Sequence, residues 1–311
     1  STDIDSASFD ACGIISMSLN DSLFDCSNIG LNNPVTLTAL DANGNSKSDT
    51  VYATVLDTIA PKVITNNLVV YLDSFGSVAI TPQDVDQNSW DSCGVDTLYL
   101  DVYAFNCSDI GSNTVILTAV DIYGNTSSSP STVTVMDTIA PEVITQNISI
   151  YLNASGQYNL SPNEVDNGSW DSCGIATFSL DTSSFSCSDT GVFSVQLTVT
   201  DVNGNQNSAI AQVTLSDTSS PNMLTQSITI YLDASGDASI TPNMIDDGSN
   251  DNCAIDTLYL DEYDFTCADT TSQIVTLIGI DKSVNTSSAN AVVTILDTAA
   301  PTIVTQNLTL Y

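Results

Sequence analysis

Across residues 57–136, short apolar runs alternate with clusters of turn-forming residues, and no apolar period of 3.6 persists over three turns. Residues 63–72 (VITNNLVVYL) alternate apolar and polar positions in places and are rich in β-formers, which predicts a strand. Asp73-Ser74-Phe75-Gly76 reads as a turn, with glycine last, where a positive φ is tolerated. A short strand is expected over 77–80. Thr81-Pro82 then opens a loop or a single helical turn, with Thr as cap and Pro at the first helical position. That loop runs to Gly94. Further strands are expected over 95–100, 114–120 and 131–136, and residues 121–125 form a tight hairpin turn between the last two. Residues 101–111 carry no clear pattern.

The same pattern returns every 80 residues. Asp-Thr-Ile-Ala-Pro stands at 57–61 and at 137–141, and it becomes DTSSP at 217–221 and DTAAP at 297–301. Tyr71-Leu72, Tyr151-Leu152 and Tyr231-Leu232 keep the period, and Tyr311 is the next member. Ser1 aligns with Pro82, and Thr2-Asp3-Ile4-Asp5 with Gln83-Asp84-Val85-Asp86. The register predicts three full repeats, 57–136, 137–216 and 217–296. Residues 1–56 are expected to close a preceding repeat and 297–311 to open a further one, so that the chain continues a longer array. Short strands with turn signals every 8–12 residues predict an all-β fold of tandem immunoglobulin-like β-sandwich repeats in an elongated array, with six or seven strands each.

Composition narrows the function. The chain has 311 residues and is 42% hydrophobic, enough to build cores. It carries 37 acidic and only 3 basic side chains, has no His, and has a formal net charge of -34. Nucleic acid is excluded as a partner, because phosphate binding needs Lys and Arg, and an anionic membrane surface is disfavoured for the same reason. No apolar run is long enough to span a bilayer. Nearly all the acid is Asp; the Glu residues are Glu142, Glu164 and Glu262. Asp suits turns, and its short carboxylate suits tight oxygen cages for hard cations. Solubility through self-repulsion is the plainer account of the excess.

The eight cysteines fall as four pairs, each 14 residues apart within one repeat. An even count at fixed spacing predicts a disulfide framework and an oxidising setting. The expected bridges are Cys12–Cys26, Cys93–Cys107, Cys173–Cys187 and Cys253–Cys267. Free core thiols are one alternative. A zinc site is another, although two Cys and no His per repeat leave it short of four ligands. Pairing between repeats is the third, and it requires adjacent domains to bring these loops together.

Three Asp-bearing segments recur: the linker Asp57, Asp137 and Asp217, with Asp297; the loop pairs Asp86/Asp91, Asp166/Asp171 and Asp246/Asp251, with Asp5/Asp10; and the hairpin residues Asp121/Asn125, Asp201/Asn205 and Asp281/Asn285, with Asp41/Asn45. The last strand runs from the hairpin to the following linker, so the hairpin should lie near the preceding one. In a sandwich of this class the acidic loop shares that end. The three segments are then expected to converge on the junction between repeats, with the hairpin Asn125 and Asn205 among the oxygen donors. Carboxylates gathered without cationic side chains repel one another unless a metal neutralises them. Oxygen-only donors favour Ca²⁺. The alternative is that these Asp and Asn residues make only turn and cap hydrogen bonds. In the last repeat the hairpin carries Lys282 and lacks the Gly, which puts a site there in doubt.

Phe105-x-Cys107-x-x-x-Gly111, Val115-x-Leu117-Thr118-x-x-Asp121-x-x-Gly124-Asn125 and the strand ending in Asp137-Thr-Ile-Ala-Pro141 resemble a hyalin-repeat (HYR-like) immunoglobulin-type module. With Tyr-Leu-x-x-x-Gly and Asp-x-Cys-Gly, the set is similar to tandem repeats of giant surface adhesins of gliding and surface-attached Bacteroidota. The resemblance spans the whole chain. It implies a secreted cell-surface stalk or adhesin, exported by the type IX system, held by surface anchoring machinery and able to assemble into a filament. It places any adhesion target or glycan on a region outside these residues. It also implies O-glycosylation at Asp-Thr-apolar triplets, here Thr58, Thr97, Thr138, Thr257 and Thr298; in a eukaryotic protein, sequons such as Asn147-Ile148-Ser149 and Asn307-Leu308-Thr309 are the candidates instead.

A spacer array is the first functional expectation, since nearest-neighbour interfaces set the stiffness of stacked repeats. The alternative is a glycan- or partner-binding module in which each repeat recognises ligand. Trp90 and Trp170, with Phe9 and Asn250 at the equivalent positions, are its candidate platform, and a lid on the domain core is the plainer role for them. Paired Asp carboxylates serve glycosidases, but with no His and no Arg, in a constellation copied with every repeat, no enzyme is expected.

Overall fold

The computed structural model describes residues 4–308; Ser1, Thr2, Asp3, Thr309 and Tyr311, used in the repeat alignment and the second sequon, lie outside the described residues. The chain is all-β and built of tandem β-sandwich-like repeats. One compact unit ends at Ile139 and a second begins at Ala140.

In the first unit, β1 (Ile14–Leu19), β2 (Gly30–Asp41) and β3 (Ser46–Val55) form an antiparallel sheet. They are followed by β4 (Leu68–Tyr71), β5 (Ser77–Ala79), α1 (Pro82–Val85), β6 (Val95–Leu100), β7 (Ala104–Asn106), β8 (Gly111–Asp121) and β9 (Thr126–Met136). The larger sheet has the order β4-β9-β8-β6, with β4 parallel to β9 and the other pairs antiparallel, and β5 pairs with β7 in a second sheet. Alternation along β8 and β9 buries Val115, Leu117, Val133 and Val135 on the inner face, while Ile116 on the outer face stays exposed. Phe105 from the small sheet and Val85 from α1 are buried as well. Burial of each such side chain stabilises by about 1.5–3 kcal/mol.

The second unit holds β10 (Ile148–Tyr151), β11 (Gln157–Asn159), α2 (Pro162–Val165), β12 (Ile175–Leu180), β13 (Ser184–Ser186), β14 (Gly191–Asp201) and β15 (Gln206–Ser216). Then come β16 (Ile228–Tyr231), β17 (Asp237–Ser239), α3 (Pro242–Ile245), β18 (Ile255–Leu260), β19 (Asp264–Thr266), β20 (Thr271–Asp281) and β21 (Thr286–Leu296). Both sets of strands repeat the topology of β4–β9. Ile150, Leu160, Val165, Phe185, Leu197 and Val213 share one core, so both sheets and the helical turn pack on the same interior.

Two expected segments differ. Within 63–72 only β4 is a strand; upstream of it Lys62 pairs with Trp90 and Thr65 with Asp86 in isolated bridges. That segment changes partner midway, from the acidic loop to the edge of β9. Residues 101–111 contain β7 and a 3-10 turn, Cys107–Asp109, because Phe105 pairs with Val78 and turns its ring into the core. The helical turn at 82–85 forms as expected, with the Asp84 carboxylate accepting from both the N–H and the hydroxyl of Thr81.

Candidate metal centre

The linker aspartates begin the site. Asp57, Asp217 and Asp297 each accept, through Oδ1, the N–H two residues on, at 3.0, 3.1 and 2.8 Å. Asp137 does the same with Ile139 at 3.0 Å and is buried. This is Asx-turn chemistry, and it fixes the side chain while occupying one oxygen. The other oxygen is free for something else: Oδ2 of Asp57 and of Asp217 is buried without a hydrogen-bond partner.

The loop pairs divide their roles. Asp86, Asp166 and Asp246 accept the N–H of Ser89, Ser169 and Ser249, three residues on, and close the loop. Asp91 Oδ1 accepts from Cys93 N–H at 2.7 Å, and Asp171 Oδ1 accepts from Cys173 and Gly174. Asp251 accepts from Cys253 N–H through Oδ2 and leaves Oδ1 buried and unpartnered.

The hairpin Asp is the most fully satisfied. Asp121 Oδ1 accepts the N–H of Tyr123 and of Asn125, and Oδ2 accepts the Asn125 amide at 2.8 Å. Burial pushes the Asp121 carboxyl up, but these bonds outweigh it and hold the group below the ordinary value of 3.8. In the next repeat Asn205 donates its backbone N–H to Asp201 Oδ1 and its side-chain Nδ2 to Asp201 Oδ2, both at 2.8 Å. Asn285 treats Asp281 in the same way. The expected ligands Asn125 and Asn205 are thus set against the hairpin carboxylate. Each meets the hairpin carboxylate through its amide NH₂, a donor, which leaves the Oδ1 carbonyl as the atom of the amide able to ligate a cation. Asn205 therefore braces Asp201 through its amide nitrogen. The Asn amide also reaches the preceding linker: Asn125 Nδ2 donates to Asp57 O at 3.2 Å, and Asn285 Nδ2 to Asp217 O at 3.1 Å. In the last hairpin Val284 takes φ +70°, the conformation glycine supplies at Gly124, and the Asn285 bonds survive.

These placements gather Asp217, Asp251 and Asp281, with one oxygen of each within 4.8 Å of the others. Asn252 joins them. Its Nδ2 donates to Asp217 Oδ1 and to the Asn153 carbonyl, both at 3.1 Å, and its Oδ1 is buried without a partner. In the first unit Asp57 and Asp91 come together in the same way. Cys93 Sγ is near them, but it is tied in a bridge and carries no thiolate. The loop residues Asp86, Asp166 and Asp246 stay outside these groups, as do the hairpin residues Asp121 and Asp201. Two oxygens each about 2.4 Å from one Ca²⁺ lie at most about 4.8 Å apart, so the donor set at Asp217 fits a hard cation in type and span.

The cysteines correct the expected pairing. Cys26 is bridged to Cys93 and Cys187 to Cys253, both with Cα atoms 5.3 Å apart. Cys107 and Cys173 are also disulfide-bonded, whereas Cys12 and Cys267 are free and exposed. The bridges Cys12–Cys26, Cys93–Cys107, Cys173–Cys187 and Cys253–Cys267 therefore do not form. The second cysteine of each pair sits on a 3-10 turn beside the glycine turn of its own repeat, with Cys187 Sγ 3.6 Å from Gly156 O. From there Cys187 meets the acidic loop of the next repeat, where its Sγ lies 3.4 Å from Asn252 O.

Trp90 and Trp170 are half-exposed, and what fixes their position is backbone pairing, with Lys62 and Glu142 respectively. Asn250 pairs with Asn222 in the same way, so the side chain there is free to vary. All five candidate threonines, Thr58, Thr97, Thr138, Thr257 and Thr298, are exposed. Among the described residues no helix is long and apolar enough to cross a membrane.

No family model matches the sequence. No curated protein matches it either. Among solved structures, the chain is similar to the Protocadherin GammaB4 extracellular domain, with 15% identity over 86% of this chain and 54% of that one, at a TM-score of 0.33. It spans about half the length of that protein. Sidekick-1 immunoglobulin domains 1–5 match with 9% identity over 88% of this chain and 68% of that one, at 0.35. Drosophila N-cadherin EC1-4 matches with 10% identity over 90% and 91%, at 0.30.

Proposed function

We propose that this chain is a structural segment of an extracellular adhesin stalk, made of sandwich repeats over 57–136, 137–216 and 217–296 and held at its junctions by Ca²⁺. One observation carries the cation: Asp217 Oδ2, Asp251 Oδ1 and Asn252 Oδ1 are buried together with no donor, beside Asp281. An unpaired buried acceptor costs about 1–3 kcal/mol, more when charged. Two carboxylates about 4.8 Å apart repel by about 3 kcal/mol at an effective dielectric of about 20. A divalent ion removes both penalties at once. Asp57 and Asp91 supply equivalent donors where the repeat 57–136 begins. Disulfides persist in oxidising compartments, which supports the extracellular setting. The surface-adhesin resemblance fits a spacer, and the exposed threonines of the Asp-Thr triplets suit O-glycans. A glycan platform at Trp90 and Trp170 draws no support from Asn250.

Calorimetric titration with Ca²⁺ after chelator treatment tests the reading. The expected result is binding heat and a raised melting temperature, both lost in the Asp217→Asn/Asp251→Asn variant. A NaCl control of equal ionic strength separates binding from screening. Absence of heat and of any melting shift overturns the cation.

A further inference from the structure

The bridges determine where tension travels. Cys26–Cys93 closes a sequence separation of 67 residues, and Cys187–Cys253 one of 66. The first loop contains β2, β3, the 57–61 linker, β4, β5 and α1; the second contains the matching elements from β14 to α3. Each loop therefore holds the last hairpin of one repeat, the linker and the first strands of the next. Asp57 and Asp91 lie inside the first loop, and Asp217, Asp251 and Asn252 inside the second. Fully extended, such a loop would span about 230 Å at ~3.4 Å per residue. The bond holds its ends at Cα atoms 5.3 Å apart.

We propose that the chain has a mechanical function as a tether of capped length, in which the Cys26–Cys93 and Cys187–Cys253 bonds carry tension past the junctions. Pulled from its ends, the chain transmits force to Cys26, across the bond to Cys93, and onward. However far residues 27–92 unfold, no length is released. The same holds for residues 188–252. What stays in the force path within a repeat is the stretch from Cys93 to Cys107, or from Cys173 to Cys187, all four being disulfide-bonded. The spacing of 14 residues that marks each pair is then the length of a connecting segment, about 45–50 Å when taut. Glycine placement serves this path. A Cβ on Gly156 would come within 2.6 Å of both Cys187 Sγ and Asn252 O, so the turn leaves room for the crossing. Of the acidic cluster, Asp217 and Asp251 lie inside the slack loop and Asp281 outside it, and the length of the stretched chain is set by the bridges.

Single-molecule stretching of the full chain, tethered at both ends, tests this. Adding a thiol reductant under load is expected to lengthen the stretched chain by about 220 Å for the Cys26–Cys93 bridge and again for the Cys187–Cys253 bridge, in addition to whatever reduction at Cys107 and Cys173 releases. The Cys26→Ser/Cys93→Ser variant should lose one of these gains. Chelator alone should leave the stretched length of the oxidised chain unchanged. Gains of only about 45 Å, no gain on reduction, or lengthening on chelation would overturn the proposal. The reading works on unfolded chains and needs no bound ion, so it stands or falls separately from the calcium titration.

Discussion

Asp217 spends one oxygen on its own linker turn and on Asn252, and turns the other toward Asp251 and Asp281. Asp86 and Asp246, equally acidic in the sequence, spend theirs on closing a loop. The sequence shows which positions carry Asp. It does not show which oxygen is left over, because that depends on a backbone N–H two or three residues away. Asn205 meets the same limit: the sequence marks an amide there, and only the fold shows that its NH₂ faces the Asp201 carboxylate. Glycines divide in the same manner. Gly156 (φ +68°) has Cys187 Sγ and Asn252 O against it, while Gly168 (φ +88°) has open space, and its counterpart Asn88 holds φ +59° with a side chain. Gly168→Ala should cost about 1 kcal/mol, from backbone strain alone. Gly156→Ala should cost about 3 kcal/mol and slow formation of the Cys187–Cys253 bridge, as read by thermal melts and thiol titration. Turn aspartates also set an acid limit. The N–H groups of Ser77 and Phe75 hold Asp73 below 3.8, and those of Asp237 and Ser235 do the same for Asp233. A native carboxyl with a depressed pKa stabilises the fold above its ordinary value, and that contribution is lost as pH falls through the lower native one. The melting temperature should therefore drop as pH falls below about 4. Asn153 holds the same turn without titrating, so Asp73→Asn and Asp233→Asn should fold and flatten that slope.

Among the elements, the β20–β21 hairpin does more than reverse the chain. Asn285 at its turn ties Asp281 to the carbonyl of Asp217, which joins the hairpin to the linker before it. Asn285→Ala should lower stability by about 2 kcal/mol through two lost bonds and one exposed charge, and it should weaken the Ca²⁺ heat. A matched Thr286→Ala at the exposed strand start should change neither. The long strands and the hairpin turns were readable because alternation over many residues has one face to bury. In the small sheet β5 was readable but its partner was not: β7 is three residues long, and only Phe105 signals it. The linker-to-β4 segment was over-read as one strand, since its apolar residues serve two different partners in succession.

At the scale of the whole molecule, the 80-residue period is plain in the sequence, yet it hides the pairing of the cysteines. A spacing of 14 within repeats and one of 66 between them recur together, so periodicity alone cannot choose between them. Geometry chooses, because the 3-10 turn bearing Cys187 faces the next acidic loop and not its own. The choice has a thermodynamic consequence. A bridge closing a loop of about 67 residues contributes about 4 kcal/mol in the chain-entropy model, against about 3 for a loop of 15. It also couples two repeats, so reduction should lower the melting of neighbours together.

Peptide mapping under non-reducing conditions is the most direct test, with a protease that cuts at Asp, because 3 basic residues leave trypsin little to cleave. The bridges described here predict linked peptides joining Cys26 to Cys93 and Cys187 to Cys253, with Cys12 and Cys267 alkylated as free thiols. Peptides joining Cys12 to Cys26, or Cys173 to Cys187, would contradict them.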